Sequence, residues 1–504
     1  MYIVDDHALF GFHLDAWENA VILNWMEARV SAPMRTAVFR LHAATREQIS
    51  ILTSEQIGGD WQTEFAVLTP TLRADMPERE IITLGGIAVT SGMVANQVAE
   101  FNLRSHTHQI EIVEYRPIGY AAADWDAARA RFFMDIMSGQ GPDIIWDVFA
   151  SFSPLIEAGV LLDLYTFLDA DPELYRSMFF PNILSLAEAQ DGSLVMMPYA
   201  FRITTWVGMG ETVGNIESWT FSQMRIMVEQ AADENMNPIA TNGIGMTMSA
   251  WELLMNALRN SDSGFIDWTE NTADLDNEDF IDFLELIANL PHDPAGFSID
   301  SHQYSAARMQ SGEQLLSYEI IDSVNMYQMY RFVFGEDMVF IGYPSRGGGA
   351  HSASFPGISI NASSAHPEAA WQFIRQFLMP DLDLNPWLTG EASIPLRIDE
   401  LEAQIEDAMT PRFETDARGN QVEVPRRHYS VNLTRDVPLY AMTEAQAREF
   451  RSIIESVNRR WLQNAAVEDI IQEELLPFLA GNRSAADTAR IMQNRVQTFL
   501  WERG

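Results

Sequence analysis

GPDIIWDVFASFSPLIEAGVLLDL, residues 141–164, and DGSLVMMPYAFRITTWVGM, residues 191–209, are the two stretches whose reading decides the fold. In the first, a Gly-Pro turn releases a short apolar strand, Ile144-Ile145-Trp146, which runs toward a helix with Ser153 at its N-cap and Pro154 in its first turn. Gly159 stops that helix. In the second, an Asp191-Gly192 turn, a strand, Pro198 and a longer β-rich run follow with hardly a break. A chain that passes from one sheet straight into another predicts two lobes joined at a hinge.

Upstream, from Glu80, the rhythm is strand, helix, strand. Ile81-Ile82-Thr83-Leu84 reads as a strand and Gly85-Gly86 as a tight turn. Residues 93–101 read as a helix with Val94, Val98 and Phe101 on one face. Residues 109–115 form the next strand, and Trp125, Ala128, Phe132 and Ile136 mark an amphipathic helix leading to the strand after Pro142. Two such crossovers in succession predict a parallel sheet, whose ligands sit beyond the carboxyl ends of the strands. Gly86, Ile87, Pro117, Trp146 and Asp147 fall at that rim.

Downstream, Thr220 and Ser249 precede helical patterns, and Phe280, Phe283, Leu284 and Ile287 stripe another helix. Residues 309–322 read as a turn and an apolar strand with Glu319 and Asp322 at its far end, and residues 338–343 as a strand returning to the first lobe. Residues 416–424 are polar, contain Gly419 and read as a surface loop. The last hundred residues read as helices over 443–462, 467–479 and 484–501, cladding the lobes, with a capping-box variant at Ser484–Asp487. Residues 1–68 alternate apolar and polar around acidic turns and predict short strands, with Phe10, Phe12, Trp17 and Trp25 as core.

The order of strand, capped helix, acidic loop, Asp-Gly turn and strand-Pro-strand resembles the extracellular solute-binding proteins of carbohydrate ABC importers, the maltose-binding-protein group and its Gram-positive lipoprotein type. FPGISINASSAHPEAAWQFI (355–374), SIPLR (393–397) and LPFLAGNRSAADTARIMQNRV (476–496) carry the likeness further. The resemblance implies a two-lobed, type II periplasmic-binding-protein-like α/β fold with a hinge, C-terminal helices and a small β-rich N-terminal segment. The expected division is residues 1–78 for that segment, 79–203 plus 345–400 for lobe I, 204–344 for lobe II, and 401–504 for helices packed on the lobes. It further implies a monomer, capture of a carbohydrate in the cleft by hinge closure, and delivery to ABC permease subunits. The implied location is extracellular, at the cell surface through a tether. Because the first residues read as mid-domain strands, the chain is expected to begin inside a longer protein.

Composition excludes several other classes. The 504 residues are 47% hydrophobic and 20% charged, as expected of a globular chain with ample core, and they carry a net charge of −39. All 32 basic residues are arginine, so there is no Walker A lysine, no pyridoxal Schiff base and no lysine general base. The acidity argues against nucleic acid and anionic lipid, whose phosphates need a basic surface. Cysteine is absent, which removes disulfides, zinc–thiolate sites, thiol nucleophiles and a lipidated cysteine. GGIAVTSG, residues 85–92, does not complete a dinucleotide fingerprint. His106-Thr107-His108 lacks a nearby third ligand in sequence and reads as a solvated approach to a strand, so no metal or cofactor is expected.

Sugar chemistry selects the candidate contacts. A pyranose presents C–H faces that stack on aromatic rings, and hydroxyls that suit planar, bidentate carboxylate, amide or guanidinium partners. Trp146 and Asp147 after the third strand, Phe201 and Arg202 at the crossing, Trp251 opening a helix, and Glu319 and Asp322 supply that mix. Trp146 is the expected stacking platform. A cation at Arg202 is unexpected for a neutral sugar and leaves room for an anionic glycan. The alternatives are a secreted glycan-active hydrolase, which needs two carboxylates about 5 to 10 Å apart, and a surface interaction module.

Overall fold

The computed structural model describes the chain apart from residues 5–7, 14–17, 25–37, 71–77, 116–121, 148–154, 234–236, 241–248, 260–263, 289–301, 346–350, 380–392 and some positions singly or in pairs. Trp17, Trp25, Pro117 and the Ser153–Pro154 cap lie outside the described residues. The chain forms two compact units. Unit 1 comprises Met1–Tyr175, Ser193–Tyr199 and Pro356–Ala392, and unit 2 comprises Arg176–Gly192, Ala200–Phe355 and Ser393–Gly504.

Unit 1 is built on a five-stranded sheet in the order Met197–Pro198, Gly357–Ile360, Ile144–Asp147, Glu80–Gly86, His108–Glu114. Glu80–Gly86 pairs in parallel with both His108–Glu114 and Ile144–Asp147, as the two crossover helices, Gly92–Arg104 and Ala122–Met137, require. Gly357–Ile360 runs antiparallel beside Ile144–Asp147, so its end lies next to the beginnings of the parallel strands. The buried faces are those the periodicity predicts: Ile82, Leu84, Ile110, Ile144 and Ile145 from the strands, and Val94, Val98, Phe101, Phe132 and Ile136 from the helices. Buried polar groups lock the strands in place. The Asn102 side chain closes both hydrogen bonds of the Ile110 backbone, at 2.7 and 3.1 Å.

The N-terminal segment of unit 1 contains two three-stranded antiparallel sheets, Tyr2–Val4, Ala8–His13, Glu18–Asn24 and Val38–Ala44, Ile49–Ile57, Asp60–Leu68. Leu9 is buried and packs with Leu23, Leu41 and Ile49.

Unit 2 is organised by one ten-residue strand, Ala200–Met209. Its run of β-branched and aromatic residues suits a strand flanked on both edges. Gln314–Ile321 pairs along one edge, while Ile394–Pro395, His351–Ser354 and Met338–Gly342 pair in succession along the other. Asn237–Ala240 and Val457–Arg460 extend the sheet at its two sides. A large apolar core collects Trp206, Trp219, Phe221, Phe265, Phe280 and Phe283.

Three sequence readings change here. Residues 443–462 are not one helix: Glu444–Glu455 is helical, and Val457–Arg460 is a strand paired in parallel with His351–Ser354. The polar loop over 416–424 is the second half of a hairpin, Arg412–Thr415 with Gln421–Val424, turned at Asp416–Asn420 with Gly419 at φ +85°. The last two helices, read as cladding, are part of a core. Ala465–Leu479 and Ala485–Arg503 put Val467, Ile471, Leu475, Ala489, Met492, Val496 and Leu500 into the core of unit 2.

Candidate functional site

At the carboxyl ends of the parallel strands in unit 1, the backbones approach closely. A Cβ on Gly86 would lie 2.3 Å from the Trp146 carbonyl oxygen, so this position tolerates only glycine. Trp146 follows in register with Gly86 and is 1% exposed. Its ring stacks on Tyr199 at 5.5 Å and tilts against Phe377 at 5.2 Å. Phe373 and Phe101 continue this aromatic cluster. Trp146 is therefore a core residue of unit 1 and not the stacking platform expected from its place after a strand: no face of the ring is left for a ligand. Asp147 ends the same strand, and its side chain lies outside the described residues.

In unit 2 the long strand sorts its residues by face. Phe201 is fully buried against Phe180, and it too is removed from the set of direct contacts. Arg202, its neighbour, is half-buried and pairs through its backbone with Ser354. Glu319 stands opposite Thr205 on the adjacent strand and is fully buried. Ser317 donates to its Oε1 at 2.6 Å. Burial, and then the carboxylate of Glu319, push the Tyr330 hydroxyl well above the ordinary phenol range. Glu319 thus belongs to an internal Ser317–Glu319–Tyr330 network, and a ligand does not reach it. Asp322, half-buried, accepts from Ser323, whose hydroxyl also caps the Val324–Phe334 helix.

Trp251 occupies the first turn of Ala250–Arg259, behind a capping box in which Ser249 and Glu252 exchange hydrogen bonds at 2.8 and 3.2 Å. The side chain is partly buried against the core of unit 2. Of the expected contacts, Arg202, Trp251 and Asp322 keep accessible surface, whereas Trp146, Phe201 and Glu319 are interior.

Residues 111–410 match the model of the bacterial extracellular solute-binding protein family, which is more than half of the chain. The chain belongs to that family. Among solved structures, the sugar-binding protein MalE from the phytopathogen Xanthomonas citri is similar, with a TM-score of 0.52 and 13% identity over 84% of this chain and 98% of that one. The ABC substrate-binding protein Lmo0181 from Listeria monocytogenes, solved with cycloalternan, gives 0.49 and 14% over 84% and 100%. The cyclic α-maltosyl-1,6-maltose binding protein from Arthrobacter globiformis gives the same 0.49 and 14%, over 84% and 100%. No curated protein sequence matches at a significant level. At 13% identity the MalE likeness is one of fold, and that fold is the two-lobed periplasmic-binding-protein-like α/β architecture read from the sequence.

Two cation–aromatic pairs of unit 2 were passed over in the sequence reading. The Arg259 guanidinium lies 5.1 Å from the half-buried Trp461 ring and is held by both carboxylate oxygens of Glu468, each at 2.9 Å. Arg460 lies 4.8 Å over the half-buried Phe355 ring. Each joins an apolar face to a planar donor. The signal present in sequence was the Arg459-Arg460-Trp461 run, hidden by reading it as the end of a helix. A further set also went unread: Glu80, His108 and His366 of unit 1 present ligand atoms within 4.8 Å of one another. The His106–His108 stretch, read as solvated for want of a third ligand, meets that ligand from far along the chain.

Proposed function

We propose that this chain is the substrate-binding component of an ABC importer, that it captures a carbohydrate, and that it hands the ligand to membrane permease subunits outside the cell. The observation that carries this reading is the family match over residues 111–410, joined to the MalE-like fold. Among the described residues no helix is long and apolar enough to cross a membrane. Ligand capture proceeds by hinge closure of the two lobes. The contacts are assigned to Arg202, Trp251 and Asp322, with Asp147 at its strand end and the Arg259–Trp461 and Arg460–Phe355 pairs as stacking and hydrogen-bonding surfaces. Arg202 leaves room for a glycan that carries carboxylate groups. No turnover accompanies binding, since the role of such a component is capture and release.

A thermal-shift screen across neutral and uronic-acid oligosaccharides tests the reading. A ligand at 100 times its dissociation constant stabilises by about 2.7 kcal/mol. A shift with one glycan class, weakened tenfold or more in Arg202→Ala or Trp461→Ala, is the expected result. Shifts from peptides or polyamines with none from any glycan would refute the carbohydrate assignment, and steady release of reducing ends would refute the absence of turnover.

A further inference from the structure

Glu80 is the first residue of its strand and His108 the first of the adjacent parallel strand, and the two stand side by side in the ladder. Both therefore lie at the amino edge of the unit 1 sheet, opposite the edge at which ligands of such sheets bind. His366 arrives at that same edge because Gly357–Ile360 runs antiparallel to its neighbour and ends where the parallel strands begin. The turn that follows is pinned there. Ser364 donates to Asp143 Oδ1 at 2.6 Å and accepts from the His366 backbone at 3.2 Å, while Asn361 donates to the Pro142 carbonyl at 3.1 Å. Asp143 is itself tied to Thr83 by two 2.8 Å bonds. His366 is then the N-cap residue of the Pro367–Gln376 helix.

Three elements thus deliver two imidazoles and one carboxylate to one point. His108 Nε2 lies 3.2 Å and His366 Nδ1 3.4 Å from the same oxygen, Glu80 Oε2. The rings meet edge to face at 5.4 Å. Charge-assisted N–H···O bonds run about 2.7 to 2.9 Å, so these separations are long for an ion pair. They are close to the edge of a tetrahedron about a zinc-sized ion, about 3.3 to 3.4 Å for ligand bonds near 2.0 to 2.1 Å, and the two ring nitrogens lie within 4.8 Å of each other. The other ring nitrogen of His108, Nδ1, lies 2.9 Å from the Thr107 hydroxyl. With Nδ1–H donated to Thr107, the Nε2 lone pair faces Glu80, the outer-shell arrangement by which ligating histidines are oriented.

We propose that Glu80, His108 and His366 bind one divalent transition ion of the zinc, cobalt and nickel class, with a fourth position open to water. Two imidazole nitrogens select this class over magnesium and calcium, which take oxygen ligands. The Glu80 side chain is 67% exposed and the two histidines 23% and 25%, which leaves an entry path and room for the water. A net charge of −39 raises the local cation concentration. The ion clips the start of the Pro367–Gln376 helix to the first two strands of the sheet. Within unit 1 the site lies at the sheet edge opposite Asp147, and its test is independent of carbohydrate binding.

The test uses the full chain stripped with a chelator and then titrated with Zn²⁺, Co²⁺, Ni²⁺ and Mg²⁺. The expected result is one equivalent of Zn²⁺ bound with a rise in melting temperature, no rise with Mg²⁺, and visible ligand-field bands of four-coordinate Co²⁺. His366→Ala and His108→Ala should each weaken binding tenfold or more, and His106→Ala, an exposed neighbour, should leave it unchanged. Should either alanine variant melt below the stripped wild type, Glu80→Gln at the most exposed ligand carries the same comparison. Absence of saturable Zn²⁺ binding, or its survival in the double His108→Ala, His366→Ala variant, overturns the proposal.

Discussion

Tryptophan 146 shows what a single buried ring does in this chain. Held between Tyr199 and Phe377 at 1% exposure, it fills volume that neighbouring aromatic rings cannot collapse into. Trp146→Ala is therefore expected to cost about 3 to 5 kcal/mol, read as a lower denaturation midpoint, while glycan affinity of the folded fraction stays within about twofold. Unchanged stability with lost affinity would return the residue to the binding site. A second residue-scale device is His351, whose Nδ1 lies 2.8 Å from Ser456 Oγ. Ser456 spends its own proton on the Ile453 carbonyl, at 2.7 Å, so the histidine donates. Burial lowers the imidazole to a pKa of about 4, because the charged form is poorly solvated there. The folded state thus binds the proton less readily than the unfolded state, whose histidine titrates near 6.5. Stability is fully present above about pH 6.5 and is lost as pH falls toward 4, by up to about 3 kcal/mol at the lower end. Carboxylates held low by arginine, such as Glu402 beside Arg451, add their own loss as pH falls through the carboxylate range. His351→Asn should flatten the slope between pH 6.5 and 5 specifically; urea melts at several pH values check this, and an unaltered slope would assign it to other groups.

At the scale of elements, the last helix acts as a substitute strand. Gln493 accepts from Leu275 N at 2.6 Å and donates to the Ala273 carbonyl at 2.8 Å. Gln497 accepts from Ala273 N at 2.8 Å and donates to the Asn271 carbonyl at 3.0 Å. Two side-chain amides thus complete the backbone pairing of the short Ile266–Asp267, Thr272–Ala273 hairpin, whose buried Ala273 N–H would otherwise lack a partner. Either Gln→Ala change leaves backbone groups unsatisfied and is expected to cost about 1 to 3 kcal/mol. The double variant should expose amides of residues 265–275 to hydrogen exchange before the rest of unit 2 opens; uniform exchange across the unit would argue against a local latch. Unit 1 has a comparable tie at Asp171. Burial alone would raise that carboxyl, but hydrogen bonds from Arg375, the Glu173 backbone and Trp371 hold it below the usual carboxylate range. Arg375 spans Asp171 and Glu173, joining the Pro367–Gln376 helix to a loop far away in sequence.

For the molecule as a whole, charge is the dominant bulk property. With 71 acidic and 32 basic residues the chain repels itself, and arginine-centred pairs such as Arg259–Glu468 and Arg331–Glu449 offset this only locally. The melting temperature should rise as sodium chloride is raised from low salt and level off near 0.15 M, where the Debye length falls to about 8 Å. A melting temperature that falls over the same range would mean that ion pairs outweigh the net repulsion.

The sequence by itself determined the parallel βαβ core over residues 80–147, the presence of a long strand after Pro198, and the family, because each is written in local periodicity, turn chemistry and the order of short stretches. It also determined the absence of thiol and lysine chemistry. Only the tertiary structure decided what is made by pairing distant segments. Val457–Arg460 became a strand because His351–Ser354 offered it an edge, against the helical pattern that precedes it. The exposed Arg412–Thr415 and Gln421–Val424 strands bear too little apolar alternation to announce a hairpin. Trp146 has the same local signature whether it lines a cleft or a core, and Tyr199 and Phe377, contributed by other segments, decide for the core. Glu80, His108 and His366 lie on three separate segments, and only the antiparallel return of Gly357–Ile360 brings the last to the other two. Local sequence fixes which face of an element is apolar, whereas what that face meets depends on contacts whose closure spans hundreds of residues.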